Sequence, residues 1–205
     1  MQEFELSQFL EENRWISGGL ILNSDVDNRT VRIDIDISPE SHGLIRDHGM
    51  QAFEQQIQNR LSSFGLKQDC WKIRPVSPEV WGQSVLGLEH KFPPVLSRID
   101  DSGQQRLLLD VSSEMAWFRG HFPGNPILAG AVQLHWAVGV SLDLFEFREI
   151  PFEIKRLKFK SLVAPPRILE LALNKTSESE VQFEFNSLGQ IHSLGRLIFK
   201  EESRC

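Results

Sequence analysis

The chain has 205 residues, 40% of them hydrophobic and 24% charged, with a formal net charge of −6. That length suits one large domain or two small ones. The acidic balance argues against broad nucleic-acid binding, which needs a basic face, and there is no run of 18 apolar residues to span a membrane.

The N-terminus, "MQEFELSQFLEENRW", lacks the basic start and apolar centre of a secretory signal. A cytoplasmic location is expected. Cys70 and Cys205 are the two cysteines. They give neither a disulfide framework nor a metal-ligand spacing, so no metal site is expected and both read as free thiols of a reducing compartment.

Residues 1–85 carry their own alternation of elements. "GGLILN" at Gly18 reads as a short strand, and "TVRIDIDIS" places Val31, Ile33, Ile35 and Ile37 on one face by strict alternation. His42 and His48 in "ESHGLIRDHG" lack a supporting ligand pattern and are read as part of a surface loop. In "MQAFEQQIQNRLSSFGL", Met50, Phe53, Ile57, Leu61 and Phe64 recur at threes and fours. That predicts a helix with one apolar stripe, stopped at Gly65. "CWKIRPV" is a further strand, ended by Pro75 and Pro78. The unit is a small α+β domain, and "SPEVWGQS" reads as a linker.

Residues 86–205 form the second segment. "RLLLDVSS" from Arg106 is a strand candidate. A Gly/Pro-rich loop follows, and then "GAVQLHWAVGVSLDLF", which is apolar nearly all round. A helix of that kind is buried. Four extended runs come next, "FEIKRLKFKSLV", "RILELALNK", "EVQFEFNS" and "IHSLGRLIFK", with "APP" and "SLG" among their turn signals. One buried helix followed by four antiparallel strands suggests a curved sheet wrapped around that helix.

The loop "GHFPGNPILAG" holds Pro123 and Pro126 with Gly120, Gly124 and Gly130. Proline fixes φ, so such a loop has little freedom left to lose and holds His121 in one place. Gly130 falls at the expected helix start, where free N–H groups and the helix dipole can stabilise a carbonyl oxygen gaining negative charge. A fixed imidazole beside such a site suits removal of a proton next to a carbonyl. On residue types alone, a rigid structural loop with His121 bonded to backbone accounts for the same pattern.

"FRGHFPGNPILAG" with "QLHWA", flanked by "KFPPVLSRID" and "IKRLKFKSLV", closely resembles the β-hydroxyacyl-[acyl-carrier-protein] dehydratases. It is nearest in character to the thioester dehydratases of aryl polyene clusters. The resemblance implies a hot-dog fold preceded by the small α+β domain. It implies dehydration of a β-hydroxyacyl thioester carried on the phosphopantetheine of an acyl carrier protein, in fatty-acid or aryl-polyene-type synthesis, with no bound cofactor. It makes His121 the catalytic base, places the thioester carbonyl at the Gly130 N–H and puts Ala131 among the substrate-binding residues. The acyl chain would run beside the helix, past Phe118, Phe122, Leu134 and Trp136. The family's second catalytic group, a Glu or Asp, falls at His135, and its usual proline falls at Ala129.

His135 therefore has two readings. An imidazolium could protonate the departing hydroxyl, since an unperturbed histidine titrates near pH ~6.5. Alternatively, His135 is a packed helix residue satisfied by a neighbour. Lys155, Arg156, Lys158 and Lys160 also have two: carrier-protein docking, with Arg119 and Arg167 adding to it, or solvated charges guarding a strand edge. The family's units dimerise side by side, the histidine coming from one subunit and the acid from the other. A homodimer, or a heterodimer with another hot-dog subunit, is implied. The alternative functions are a non-catalytic partner that supplies half a site, or a thioesterase. Residues 1–85 also resemble the small C-terminal lobe of adenylate-forming acyl ligases, with Gln83 where that family carries its lysine; this implies a remnant without ligase chemistry, or else a segment that docks a ligase partner or extends the dimer interface.

Overall fold

The computed structural model of the chain describes residues 6, 8–10, 12–25, 30–74, 92–119 and 124–200. The linker expected around Val80, Gln83 of the ligase likeness, and Cys205 lie outside them.

The strands form two sheets. The smaller has order β1-β2-β3, with β1 at Ile16–Asp25, β2 at Thr30–Ile37 and β3 at Trp71–Ile73. β1 and β2 form an antiparallel pair, and β3 joins β2 in parallel. The parallel step needs a long crossover, which helices α1 (Pro39–His48) and α2 (Met50–Leu61) supply. α2 buries Phe53, Ile57 and Leu61 at 0% exposure, the stripe its spacing predicts; each such burial contributes about 1.5–3 kcal/mol.

The segment at His42 is a helix, not a surface loop, and His42 is fully buried. Its local signals are sound. Ser38 Oγ accepts from the Ser41 N–H, Pro39 opens the first turn, and Gly49 closes the helix at φ +87°. What hides it is its inward face of Ser41, His42 and Ile45, which shows almost no apolar periodicity.

The larger sheet is wholly antiparallel, in the order β4-β5-β7-β8-β9-β6. β4 is Val95–Asp101, β5 Gln104–Val111, β6 Glu153–Phe159, β7 Arg167–Lys175, β8 Glu180–Ser187 and β9 Gln190–Ile198. β4 was not anticipated as a strand. Helix α3 (Gly130–Leu144) precedes β6, which closes the sheet's far edge. Trp136, Ala137 and Val140 of α3 are fully buried in one core with Leu107, Leu109, Leu171 and Phe185. This is the hot-dog architecture, an α+β fold with its sheet around one helix.

"RLLLDV" explains how the two layers meet. Leu107 and Leu109 face α3, whereas Leu108 belongs to a second core with Ile45, Phe53 and Leu96. All three leucines are 0% exposed, because here both faces of the sheet are covered. On β8 the alternation returns, with Val181, Phe183 and Phe185 buried and Gln182 and Glu184 half-buried.

Candidate active site at the start of the buried helix

A short turn, Ala116–Phe118, leads into the Gly/Pro loop. Gly120, His121, Phe122 and Pro123 lie outside the described residues, so the expected base and one expected lining residue have no described position. The chain resumes at Gly124 and reaches α3 through Leu128, whose N–H donates to the Val163 carbonyl at 2.8 Å. Ala129 sits at the N-cap in extended geometry with no side-chain cap. The free amides at the helix start therefore have no side-chain oxygen there to take them.

Gly130 is fixed by a close approach. A Cβ at this position would overlap the Phe159 ring, approaching its Cδ1 to 2.6 Å. The ring belongs to the last residue of β6 and is itself 53% exposed. α3 is buried through Val132, Gln133, Trp136 and Ala137 but leaves Ala131 exposed and Leu134 and His135 half-buried. Residues 131 and 135 lie one turn apart on the same face. His135 thus stands one turn above the helix start on its open side, with its imidazole edge-on to the Trp117 ring at 5.9 Å between centroids. Trp136 faces the other way, into the core against Phe92, and Phe118 is also a core residue.

Gln133 was not singled out from the sequence. Its amide is buried between the helix and the sheet; Ser193 Oγ on β9 donates to its Oε1 at 2.6 Å, and its Nε2 donates to the Leu128 carbonyl at 3.4 Å. A glutamine three residues past a helix-start glycine, in the first turns of a mostly apolar helix, is the signal that could have found it.

β6 is exposed along its whole length. Ile154, Leu157 and Phe159, with Ile150, Phe152 and Leu162 beside them, are six of the seven large exposed hydrophobic side chains among the described residues. Lys155, Arg156, Lys158 and Lys160 are exposed on the same segment. Lys155 pairs with Glu153 at 3.0 Å. Arg156 sits at φ +53° in a register shift against β9, a bulge of the kind that re-aims side chains at sheet edges. Arg119 is exposed after the turn, and Arg167 opens β7.

A second polar cluster lies on the sheet's other face. His42 donates from Nε2 to Glu170 Oε2 at 2.6 Å, with its Nδ1 3.3 Å from Ser97 Oγ. Asn186 donates to the other Glu170 oxygen at 3.1 Å. Burial alone would raise the Glu170 carboxyl; the hydrogen bonds from His42 and Asn186 outweigh it and hold the group below its ordinary range. Beside this cluster is a cleft of about 750 Å³ lined by Glu54, Asp110 and Arg167 among others. Burial raises both of its carboxyls.

Among the described residues no group of three or more His, Cys, Asp or Glu could hold a metal ion. None of the described helices is long and apolar enough to cross a membrane.

A family model described as ApeI-like, ApeI dehydratase, matches residues 97–196. The 3-hydroxyacyl-[acyl-carrier-protein] dehydratase FabZ of Salmonella arizonae is 32% identical over 113 residues, 47% of this chain and 74% of that one. The chain belongs to this dehydratase family. The FabZ dehydratase of Syntrophotalea carbinolica is 27% identical over 130 residues, 58% of this chain and 87% of that one. Among solved structures, the dehydratase heterocomplex ApeI:P from Xenorhabdus doucetiae aligns at 25% identity and a TM-score of 0.49, over 52% of this chain and 96% of that chain. The family model begins at Ser97, so the N-terminal layer lies outside it.

Proposed function

We propose that the chain dehydrates β-hydroxyacyl thioesters presented by an acyl carrier protein. The observation that carries the proposal is the first turn of α3. It has an N-cap without a side-chain hydrogen bond, a glycine whose missing Cβ admits an aromatic ring, and His135 one turn above on the open face.

The His121 imidazole takes a proton from the α-carbon. The electron pair moves towards the thioester carbonyl, whose oxygen is held by the Gly130 and Ala131 amides. The pair then forms the α,β double bond as the β-hydroxyl leaves. His135 protonates that hydroxyl, which departs as water. The exposed apolar edge of β6 pairs with a second hot-dog subunit, so that His121 of one subunit meets His135 of the other. The basic residues of the same segment receive the acidic carrier protein and its phosphate.

The purified protein is tested alone with a 3-hydroxyacyl carrier substrate, and loss of water with a bell-shaped dependence on pH is expected. His121→Ala abolishes turnover, and His135→Ala lowers it at least roughly a hundredfold, the scale of a general acid. Wild-type dehydration by His135→Ala overturns the two-histidine scheme. Release of free acid instead of the enoyl product identifies a thioesterase.

A second reading has one observation in its favour, the imidazole in place of the family's carboxylate. Under it the chain supplies half a site to an active hot-dog partner. Silence alone, with dehydration restored on adding a carboxylate-bearing hot-dog subunit, selects that reading.

A further inference from the structure

We infer that Gln133 is a positioning residue for the carbonyl-binding end of α3, held in turn by Ser193. The inference rests on the dehydratase reading above, because it assigns a task to the amides that reading uses.

The first turn of α3 is gripped at three points. Leu128, two residues before the helix, has both backbone groups engaged: its N–H donates to Val163, and its carbonyl accepts from Gln133 Nε2. Gln133 is anchored through Oε1 by the Ser193 hydroxyl, which is 0% exposed on β9. Gly130 lies under the Phe159 ring. Phe159 and Ser193 are register partners across β6 and β9. The helix start is thus indexed onto one position of that strand pair, with the approaching chain tied to the same point.

The chemistry makes this more than packing. The Ala129 N-cap offers no side-chain oxygen to the first amides, which under the dehydratase reading receive the thioester carbonyl. Free amides orient an oxyanion only if the backbone that carries them is fixed. The Gln133 amide does that from within the helix by gripping the carbonyl two residues before its start. Glutamine suits the position because it accepts from Ser193 and donates to Leu128 at once. Leucine or methionine would fill the volume and grip neither, and glutamate would keep the acceptor but lose the donor. A displacement of about 1 Å at such a site costs on the order of a hundredfold in rate.

Three variants test the inference. Gln133→Leu removes both hydrogen bonds, Gln133→Glu keeps only the one from Ser193, and Ser193→Ala removes the anchor. The expected result is a fall in kcat of roughly ten- to a hundredfold for both Gln133 variants, a smaller fall for Ser193→Ala, and little change in KM. Hydrogen exchange at the Leu128 and Val132 amides should quicken, while exchange at Val138–Leu142 stays as in the wild type. Unchanged kcat in Gln133→Leu overturns the inference. So does a loss of kcat that only follows melting temperature, with exchange rising evenly along α3. If Gln133→Leu does not fold, Ser193→Ala decides on the same readouts. A wild-type protein with no turnover defeats the dehydratase reading, whereas local exchange in the variants still decides whether Gln133 orders the helix start.

Discussion

The larger sheet treats its two ends in opposite ways. At β4, β5 and β7 its outer face is covered by the N-terminal layer, and the polar groups around His42 find partners within the chain: His42 with Glu170, Glu170 with Asn186, Ser97 with His42. At β6 the edge is bare, with apolar and basic side chains together in solvent. A buried polar cluster that satisfies itself has nothing left to offer a ligand, although it places a serine, a histidine and a carboxylate in line. Function is to be sought where the chain leaves its bonding and apolar capacity unspent, at β6 and at the uncapped start of α3.

The sharpest way to break this contrast is to open the closed side. Glu170→Ala leaves His42 and Asn186 buried without their acceptor and should cost about 3–5 kcal/mol, measured by urea unfolding. Replacing His42 and Glu170 together by leucine should recover much of that loss, since a buried polar pair is often no better than apolar packing. Recovery would show that the cluster is a closure and not a site. The pH dependence follows from the sign of the shift. The Glu170 carboxyl is held below its ordinary range, so its contribution is complete above about pH 4.3, the unfolded value, and is lost as the pH falls through the lower folded value. Acid unfolding of the wild type should therefore be steeper below that pH than in the double leucine variant.

His192 is closed in the same manner and adds a milder slope. Ser161 and Ser187 hydroxyls lie 2.9 and 2.8 Å from its two ring nitrogens. Burial, with the nearby charge of Arg167, lowers its pKa. A lowered histidine favours folding when neutral, so stability is complete above about pH 6.5 and declines as the pH falls towards the folded value. His192→Gln should flatten urea-unfolding stability between pH 7 and 5.

On the open side, Gly130→Ala should displace the Phe159 ring and cost about 1–3 kcal/mol, an overpacking penalty. Phe159→Leu in the same chain should relieve most of it. A Gly130→Ala protein as stable as the wild type would mean that the ring moves aside freely and does not fix the helix start.

How much of this was legible in the sequence depends on which face a residue serves. Strands with one covered face, such as β2 and β8, alternate visibly, and α3 announced its burial by being apolar all round. α1 did not, because its buried side is Ser41 and His42, bonded to groups tens of residues away. Its capping residues Ser38 and Pro39 were readable all the same. "RLLLDV" was readable as a strand, but the meaning of three consecutive leucines, a sheet covered on both sides, depends on a layer folded from residues far earlier. At the site, Gly130 stood out as the expected helix start and His135 through the family resemblance. Gln133 did not, since its partners Leu128 and Ser193 come together only when β9 lies beneath the helix.

The smallest expected effect concerns the charges of β6, and it separates the two uses of a bare edge. If Lys155 and Lys158 only keep the edge soluble, their reversal changes nothing in turnover. If they receive an acidic carrier protein, the double change Lys155→Glu and Lys158→Glu should raise KM for a carrier-borne substrate several-fold at low ionic strength and leave kcat alone. Exposed charge pairs contribute about 0.2–1 kcal/mol each, and screening weakens them as salt rises. The difference from wild type should therefore shrink between 0.05 and 0.5 M salt, and it should vanish for the same acyl group on a free pantetheine thioester, which carries no acidic protein. Lys155 is already shared with Glu153 at 3.0 Å, so Lys158, for which no ion pair is seen among the described residues, should carry the larger part when the two are changed singly. An equal rise in KM for the free thioester would place these lysines at the acyl channel and not at the carrier, and would remove the basic strand from the docking argument.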